Sequence, residues 1–427
     1  MAKIGRLLVI ADDYTGALDT GVQFSRKDVP ALVLAKERFS FDDAECAGYD
    51  VLVVDTESRH MPPKKAYDVV RSIASQGMKA GMEYFYKKTD SALRGNIGAE
   101  LAGLLDSDDF TCLTFVPAFP KSHRVTIDGV HYIDGVELAE SVFAKDPFTP
   151  VKHNRVADII RLQTNAPIEN IPRGTYEKAG TGASTKTIRV LDAESMEDIV
   201  RLGAILKRGN NLRFLAGCAG FAEILPELLD LPKRNLELEK HSGNILIVSG
   251  SVNPITIEQI SDGAKYDFST FTLTAAQMLD FSYPESEECK NFVHGVKKTL
   301  EERKRVIVRT VEARKDVEST EARAREDGIP KGTLFGRIAG NIGAITLRIL
   351  QETRVDNLAI FGGDTLHSVL AEMRCEGVCP IAELSPGVVA STALSKDHRQ
   401  LVITKSGGLG KRDVLGTINA FVFGDAR

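Results

Sequence analysis

No uninterrupted apolar stretch in this 427-residue chain approaches the roughly 20 residues that a membrane-spanning helix needs. The opening run Leu7-Leu8-Val9-Ile10 is too short for a signal peptide and meets Asp12-Asp13 at once. The six cysteines, Cys46, Cys112, Cys218, Cys289, Cys375 and Cys379, show no disulfide rhythm, and the first three lie in or beside apolar runs, as in a reducing compartment. A cytoplasmic protein is expected. A formal net charge of -5 over this length gives no electrostatic reason to expect DNA, RNA or an anionic membrane as partner. Small molecules are the expected partners. Walker A is absent, since Gly410-Lys411 is followed by Arg412, and no Gly-x-Gly-x-x-Gly follows a strand. The Asp-x-Asp of haloacid-type phosphatases is absent as well, because Asp12 and Asp13 are adjacent. Solenoid repeats and low-complexity tracts are missing, and Cys375 with Cys379 near His367 falls short of a four-ligand metal spacing.

What is present is an ordinary globular composition, 43% apolar and 26% charged, in a chain long enough for two domains with separate cores. Short apolar runs at 7–10, 31–35, 51–55, 84–87, 112–116, 188–192 and 212–216 read as strands, with helical patterns such as 63–76 and 96–106 between them. The charged, proline-bearing segment 229–244 interrupts this alternation, which restarts at 245–248, 306–310, 357–361 and 400–404. The expected fold is α/β: two domains, each on a mainly parallel doubly wound sheet, with the active site in the cleft between them. Residues 1–230 form the first domain, 231–243 a linker and 244–427 the second. The charged run 311–325 reads as a solvated loop or surface helix without chemistry, followed by a long helix over 333–352.

Three turns rich in glycine sit at the ends of apolar runs in the second half: Ser249-Gly250-Ser251, Gly362-Gly363-Asp364-Thr365 and Lys405-Ser406-Gly407-Gly408. Such turns offer backbone N–H groups and a helix dipole to an anion above them, phosphate being the commonest. Each alone is a weak signal of tight packing; three on one domain point to a phosphate cradle. In the first half, Asp12 and Asp13 emerge from a buried strand, where two carboxylates call for a cation or substrate hydroxyls, or else one of them caps the next helix. The segment Lys87-Lys88-Thr89-Asp90-Ser91-Ala92-Leu93-Arg94 packs cations, hydroxyls and an acid between strand and helix, a mixture that suits a sugar acid. A cap by Asp90 or Ser91 is the plainer alternative. Arg59 follows a strand, Arg124 follows the stiff Pro117-Ala118-Phe119-Pro120 exit, and the Asp-Gly turns of 126–136 signal an antiparallel excursion.

Together these segments resemble the four-carbon acid sugar kinase family. Ile-Ala-Asp-Asp-Tyr-Thr-Gly-Ala (10–17), Lys-Lys-Thr-Asp-Ser-Ala-Leu-Arg-Gly-Asn-Ile-Gly-Ala-Glu (87–100), Pro-Ala-Phe-Pro (117–120) and Asp-Gly-Val-His-Tyr-Ile-Asp-Gly-Val (128–136) look like its amino-terminal landmarks. Val-Ser-Gly-Ser-Val-Asn-Pro (248–254), Gly-Gly-Asp-Thr (362–365) and Lys-Ser-Gly-Gly (405–408) look like its nucleotide-binding ones. The resemblance implies an ATP-dependent kinase for D-threonate, D-erythronate or 3-oxo-tetronate, with an amino-terminal substrate domain and a carboxyl-terminal nucleotide domain. Residues 19–23 look more like the threonate and erythronate branch.

On this basis the substrate would be held by Asp12, Asp13, Arg59, Lys88, Thr89, Asp90, Ser91, Arg94 and Arg124, with Asp13 or Asp90 receiving the proton of the terminal hydroxyl as the 4-phosphate forms. ATP would lie on Ser249, Ser251, Gly362, Gly363, Asp364, Thr365, Gly407 and Gly408, with Mg²⁺ on its outer phosphates. The alternatives are a 3-oxo-tetronate kinase, a non-catalytic sugar-acid or nucleotide sensor, and a phosphatase or phospho-sugar lyase. A homodimer is the base-rate expectation.

Overall fold

Leu7–Ala11 is buried along its whole length, as a strand inside a parallel sheet covered by helices on both faces must be. The computed structural model describes residues 6–35, 39–41, 46, 48–110, 112–146, 149–234, 243–396, 398–407 and 409–424. The chain divides into two compact units, residues 1–236 and 237–427.

In the first unit the strands are Leu7–Ala11 (β1), Ala31–Ala35 (β2), Val51–Asp55 (β3), Tyr84–Lys88 (β4), Cys112–Val116 (β5), Arg124–Ile127 (β6), Val130–Ile133 (β7), Val136–Glu137 (β8), Ile168–Ile171 (β9), Thr187–Leu191 (β10) and Phe214–Gly217 (β11). Eight of them form a sheet in the order β2-β3-β1-β4-β11-β5-β10-β9, every pair parallel. From β1 the chain goes to β2 at the edge, returns to β3 beside β1 and then crosses over β1 to β4. That reversal opens a crevice at the carboxyl ends of β3, β1 and β4, where ligands bind in open α/β sheets. The excursion β6-β7-β8 is antiparallel, as its Asp-Gly turns predict.

In the second unit the strands are Ile245–Ser249 (β12), Ser269–Thr272 (β13), Arg305–Arg309 (β14), Asn357–Phe361 (β15), Gly377–Ser385 (β16), Val388–Ser395 (β17) and His398–Lys405 (β18). They run β13-β14-β12-β15-β18-β17-β16, the first five parallel and the last three antiparallel to one another. Ser249 pairs with Phe361 and Phe361 with Lys405, so β12, β15 and β18 finish level. Ile245, Ile247, Ile307, Phe361, Ile403 and Ile418 pack into one buried cluster beneath them.

The sequence pattern does not foreshadow β9, β13, β16 and β17. β13 reads Ser-Thr-Phe-Thr with alternating partial exposure, too short and polar to stand out. β16 contains Pro380, which argues against a strand; the ladder absorbs it through a register shift between Pro380 and Ala382. The run expected to be inert, 311–325, is a helix, Arg314–Glu326. Where the chain needs space, small residues decide it. A Cβ on Gly98 in the helix Ile97–Leu105 would overlap the carbonyl oxygen of Ile160, whereas one on Gly340 in the helix Lys331–Glu352 would meet nothing within 4 Å. Gly98→Ala is therefore expected to destabilise the fold by about 1–3 kcal/mol through overpacking, and Gly340→Ala to stabilise it by about 0.5–1 kcal/mol through helix propensity. Urea unfolding of the two variants checks both; shifts of the same sign would contradict the packing described.

Candidate active site

The crevice of the first unit is built from three loops that leave β1, β3 and β4 side by side. After β1, Asp12 is buried and Asp13 caps the helix Tyr14–Ser25, accepting from the Gly16 amide at 3.2 Å and the Thr15 hydroxyl at 2.8 Å. The capping alternative thus holds for Asp13, but capping is not all this carboxylate does. From the loop after β3, Arg59 reaches both acids: its Nε lies 2.7 Å from Asp12 Oδ2, and its Nη1 and Nη2 lie 3.0 and 2.7 Å from the two oxygens of Asp13. Burial would lower the Arg59 guanidinium, yet Asp12 and Asp13 hold it well above its ordinary value. Burial likewise favours a neutral Asp12, but Arg59, Lys88 and Lys87 outweigh it and keep that carboxyl below the usual range. Two glycines make the approach feasible. A Cβ on Gly16 would overlap Asp13 Oδ1 and stand 2.6 Å from Lys88 Nζ; one on Gly95, whose φ is +87°, would stand 2.8 Å from Arg59 Cγ.

From the loop after β4, Asp90 is gripped by Arg94, with Nε at 2.8 Å and Nη2 at 3.0 Å from its two oxygens, and it accepts from the amides of Ala92 and Arg94. Burial alone would raise this carboxyl; Arg94 and Arg59 hold it well below the usual carboxylate range. A carboxylate so held is a weak proton acceptor. Asp90, expected as one of two candidate bases, thus sits between Arg94 and Arg59, which favour its charged form. Of the arginines expected at the substrate, Arg59 is paired with Asp12 and Asp13, and Arg94 with Asp90 and Asp146. Lys88 has a looser environment, its Nζ 3.8 Å from Asp12 Oδ1, and burial is outweighed by Asp12 and Asp13, which keep the amine above its ordinary value. Arg124 donates to the Ser91 hydroxyl, and its buried Nε has no hydrogen-bond partner. Thr89 is buried with its hydroxyl unpartnered. Arg94 and Arg124 both lie over the ring of Phe143, at 5.2 and 5.4 Å from its centroid.

Sequence reasoning passes over the layer beneath. Lys87 and Glu100, fully buried, form an ion pair of 3.0 Å. Lys87 also donates to the carbonyls of Ile10 and Lys88, and Glu100 accepts from Ser58. Both residues belong to the segment 87–100 that carries the family resemblance, so a signal existed; their burial was what the sequence alone could not reveal. His131 lies behind Ser91, its Nε2 3.1 Å from the Ser91 carbonyl and its Nδ1 3.0 Å from the Thr126 hydroxyl. A carbonyl only accepts, so Nε2 carries the hydrogen. Burial pushes this imidazole down to about 4.

In the second unit the turns predicted to hold phosphate close the level ends of β12, β15 and β18. Gly362, with φ +114°, precedes the helix Gly363–Glu372, whose first amides have no side-chain cap. A Cβ on Gly250 would overlap Thr365 Oγ1, so the first two turns interlock. Ser249 is buried, its carbonyl taken by the Thr310 amide at 3.0 Å, and Ser251 accepts from the Asn253 amide at 3.3 Å. Asp364 is exposed. In the third turn, Lys405 is buried and donates to the Thr256 hydroxyl at 2.7 Å and to the Gly407 carbonyl; burial pushes its amine down to about 8. Gly408 lies outside the described residues. Beside Gly250, Asp364 and Thr365 opens a narrow, mainly apolar crevice walled by Met278, Val311, Val317, Leu334, Phe335 and Ile338. The helix Arg314–Glu326 contributes Val317, Thr320 and Glu321 to this wall.

The buried ion pair and the buried imidazole give two expectations. Lys87→Met leaves Glu100 uncompensated and should cost about 3–5 kcal/mol, most of it recovered in Lys87→Met with Glu100→Leu; equal urea midpoints for the single and double variants would refute the coupling. For His131, the unfolded chain takes up a proton below about pH 6.5 while the folded one stays neutral down to about 4. Stability therefore falls as pH drops through that window, by up to about 3 kcal/mol at its lower end. Subtracting the stability-against-pH curve of His131→Gln from that of the wild type should isolate this slope between pH 6.5 and 4; parallel curves would rule it out.

The sequence matches the family model of a sugar-binding N-terminal domain over residues 7–225 and that of a nucleotide-binding C-terminal domain over residues 246–415. It is 30% identical to a D-threonate kinase of Salmonella typhimurium LT2, covering 96% of each chain. It is also 30% identical to a D-erythronate kinase of Heliobacterium modesticaldum, covering 97% of this chain and 96% of the relative. The crystal structure of a Salmonella typhimurium LT2 protein superposes with a TM-score of 0.78 at 20% identity over 97% of this chain and 98% of the other, a likeness of fold. Among the described residues no helix is long and apolar enough to cross a membrane. With full-length kinase relatives and both domain models in place, the chain belongs to the four-carbon acid sugar kinase family and is a sugar-acid kinase.

Proposed function

We propose that this kinase transfers the terminal phosphate of ATP to the terminal hydroxyl of a four-carbon sugar acid, D-threonate or D-erythronate, giving the 4-phosphate. The observation that carries this reading is the first unit's crevice, where two cations not locked in short ion pairs, Lys88 and Arg124, stand beside an ordered acid pair. Lys88 and Arg124 take the substrate carboxylate, the Thr89 hydroxyl and Ser91 take its hydroxyls, and Asp13 faces the reacting alcohol. Asp13 is the choice over Asp12 and Asp90 because its side chain keeps 21% exposure while theirs keep 2% and 9%. Arg59 and Arg94 hold the acids in place. Phosphoryl transfer asks for alignment and charge neutralisation more than for a strong base, so a half-committed carboxylate that orients the hydroxyl is adequate.

The nucleotide's phosphates rest on the Gly362–Thr365 helix start and the Ser251 and Gly407 turns, with Lys405 beneath, and its nucleoside fills the apolar crevice beside Gly250. A magnesium ion is part of this chemistry and neutralises phosphate charge when bound. Asp55 Oδ2, a buried carboxylate oxygen without a hydrogen-bond partner, fits a hard cation that seeks oxygen, and such a charge would offset the burial that raises its carboxyl.

A coupled assay of ADP release across D-threonate, D-erythronate and 3-oxo-tetronate tests this. D-threonate or D-erythronate should give the highest kcat/KM. Asp13→Asn should lower kcat by about 10²–10⁴ with little change in KM, while Lys88→Met should act mainly on KM for the acid. ADP release stimulated most by 3-oxo-tetronate would reassign the substrate, and full turnover in Asp13→Asn would remove that residue from the reaction.

A further inference from the structure

We propose that Glu321 reads the ribose hydroxyls of the bound nucleotide and so makes this kinase selective for ribonucleotides over deoxynucleotides. The inference rests on the reading that the nucleoside occupies the crevice beside Gly250. Glu321 lines that crevice from the helix Arg314–Glu326, on the same face as Val317 and next to the buried Thr320. Most of the rest of the crevice's lining is apolar, and its other carboxylate, Asp364, is exposed on the turn that takes the phosphates. The Thr320 hydroxyl donates to the Asp316 carbonyl at 2.7 Å and the Thr310 hydroxyl to the Ser249 carbonyl at 3.4 Å. Glu321 has no hydrogen bond or ion pair among the described residues, although its helix carries Arg314, Lys315, Arg323 and Arg325.

A carboxylate only accepts, and beside an apolar wall it is costly to cover unless donors meet it. A ribose offers two adjacent O–H donors matched to its two oxygens. Adenine offers one exocyclic amine, and its flat face suits the wall of Leu334, Phe335 and Ile338. Glu321 is half-buried, which fits a group at the mouth of the crevice, where the sugar joins base to phosphates. A residue of this kind discriminates strongly against an analogue that lacks the donor, because the acceptor is then left unpaired.

Calorimetric titration with ADP, 2′,3′-dideoxy-ADP and GDP tests the assignment on the full chain. The wild type should bind ADP tenfold or more tighter than the dideoxy analogue, on the order expected for charge-assisted hydrogen bonds. Glu321→Ala should bind both at the weaker level, with the ratio of ADP to GDP affinity unchanged. Full retention of the ribose preference, equal weakening toward both adenine nucleotides, or a changed ADP-to-GDP ratio each overturns the proposal. Ala339→Trp separates this from the underlying reading: the added ring fills the crevice and should abolish ADP binding, and if ADP still binds unchanged the nucleoside lies elsewhere.

Discussion

A single buried ion pair sets the geometry of the acidic crevice. Lys87 sits at the carboxyl end of β4, and its amine touches Glu100 together with the carbonyls of Ile10 and Lys88. Those contacts join the ends of β1 and β4 and the helix Ile97–Leu105; through Ser58, Glu100 adds the loop after β3. Four pieces of chain are thereby held by two buried side chains. Because both charges are out of water, neither is tolerable without the other, and the arrangement has little freedom to drift. Asp12, Asp13, Arg59 and Asp90 inherit their positions from it.

Above that pair, charge is layered by degree of commitment. Arg59 and Arg94 are paired with aspartates and Asp90 with arginines, whereas Lys88 and Arg124 make no short ion pair among the described residues and the Asp13 side chain keeps 21% exposure. On the proposed reading of this crevice as the sugar-acid site, such a division has a physical reason, since an unpaired arginine beside an unpaired aspartate would satisfy each other and leave nothing for an anion. The second unit works differently. It relies on backbone: level strand ends, an uncapped helix start at Gly362 and small residues that let chains interlock.

The sequence was most informative where chemistry and secondary structure coincide. Strand ends leading into Asp12-Asp13, into Lys88 to Arg94 and into the three glycine turns were all legible, because apolar runs mark strands and the loop at a parallel strand's carboxyl end faces the ligand. Which of those side chains remain available was not legible: it depends on partners such as Asp146, Phe143 and Ser58 that lie up to tens of residues away. The crevice wall was hidden for a similar reason. Val317, Thr320 and Glu321 occur in a stretch dominated by charge, and only the folded chain brings them to one crevice with Leu334 and Ile338. Pro380 misled in the other direction, since a register shift let a strand continue through it.

The level pairing of Ser249, Phe361 and Lys405 implies that evolution of the second unit is constrained by counting rather than by chemistry. Valine, isoleucine and leucine interchange along β12, β15 and β18 at small expense, whereas inserting or deleting one residue in any of them would turn its side chains over and carry its terminal loop about 3 Å out of line with the others. Substitution inside fixed spans is the change this geometry tolerates, and a change of length fits better at the far ends of the helices.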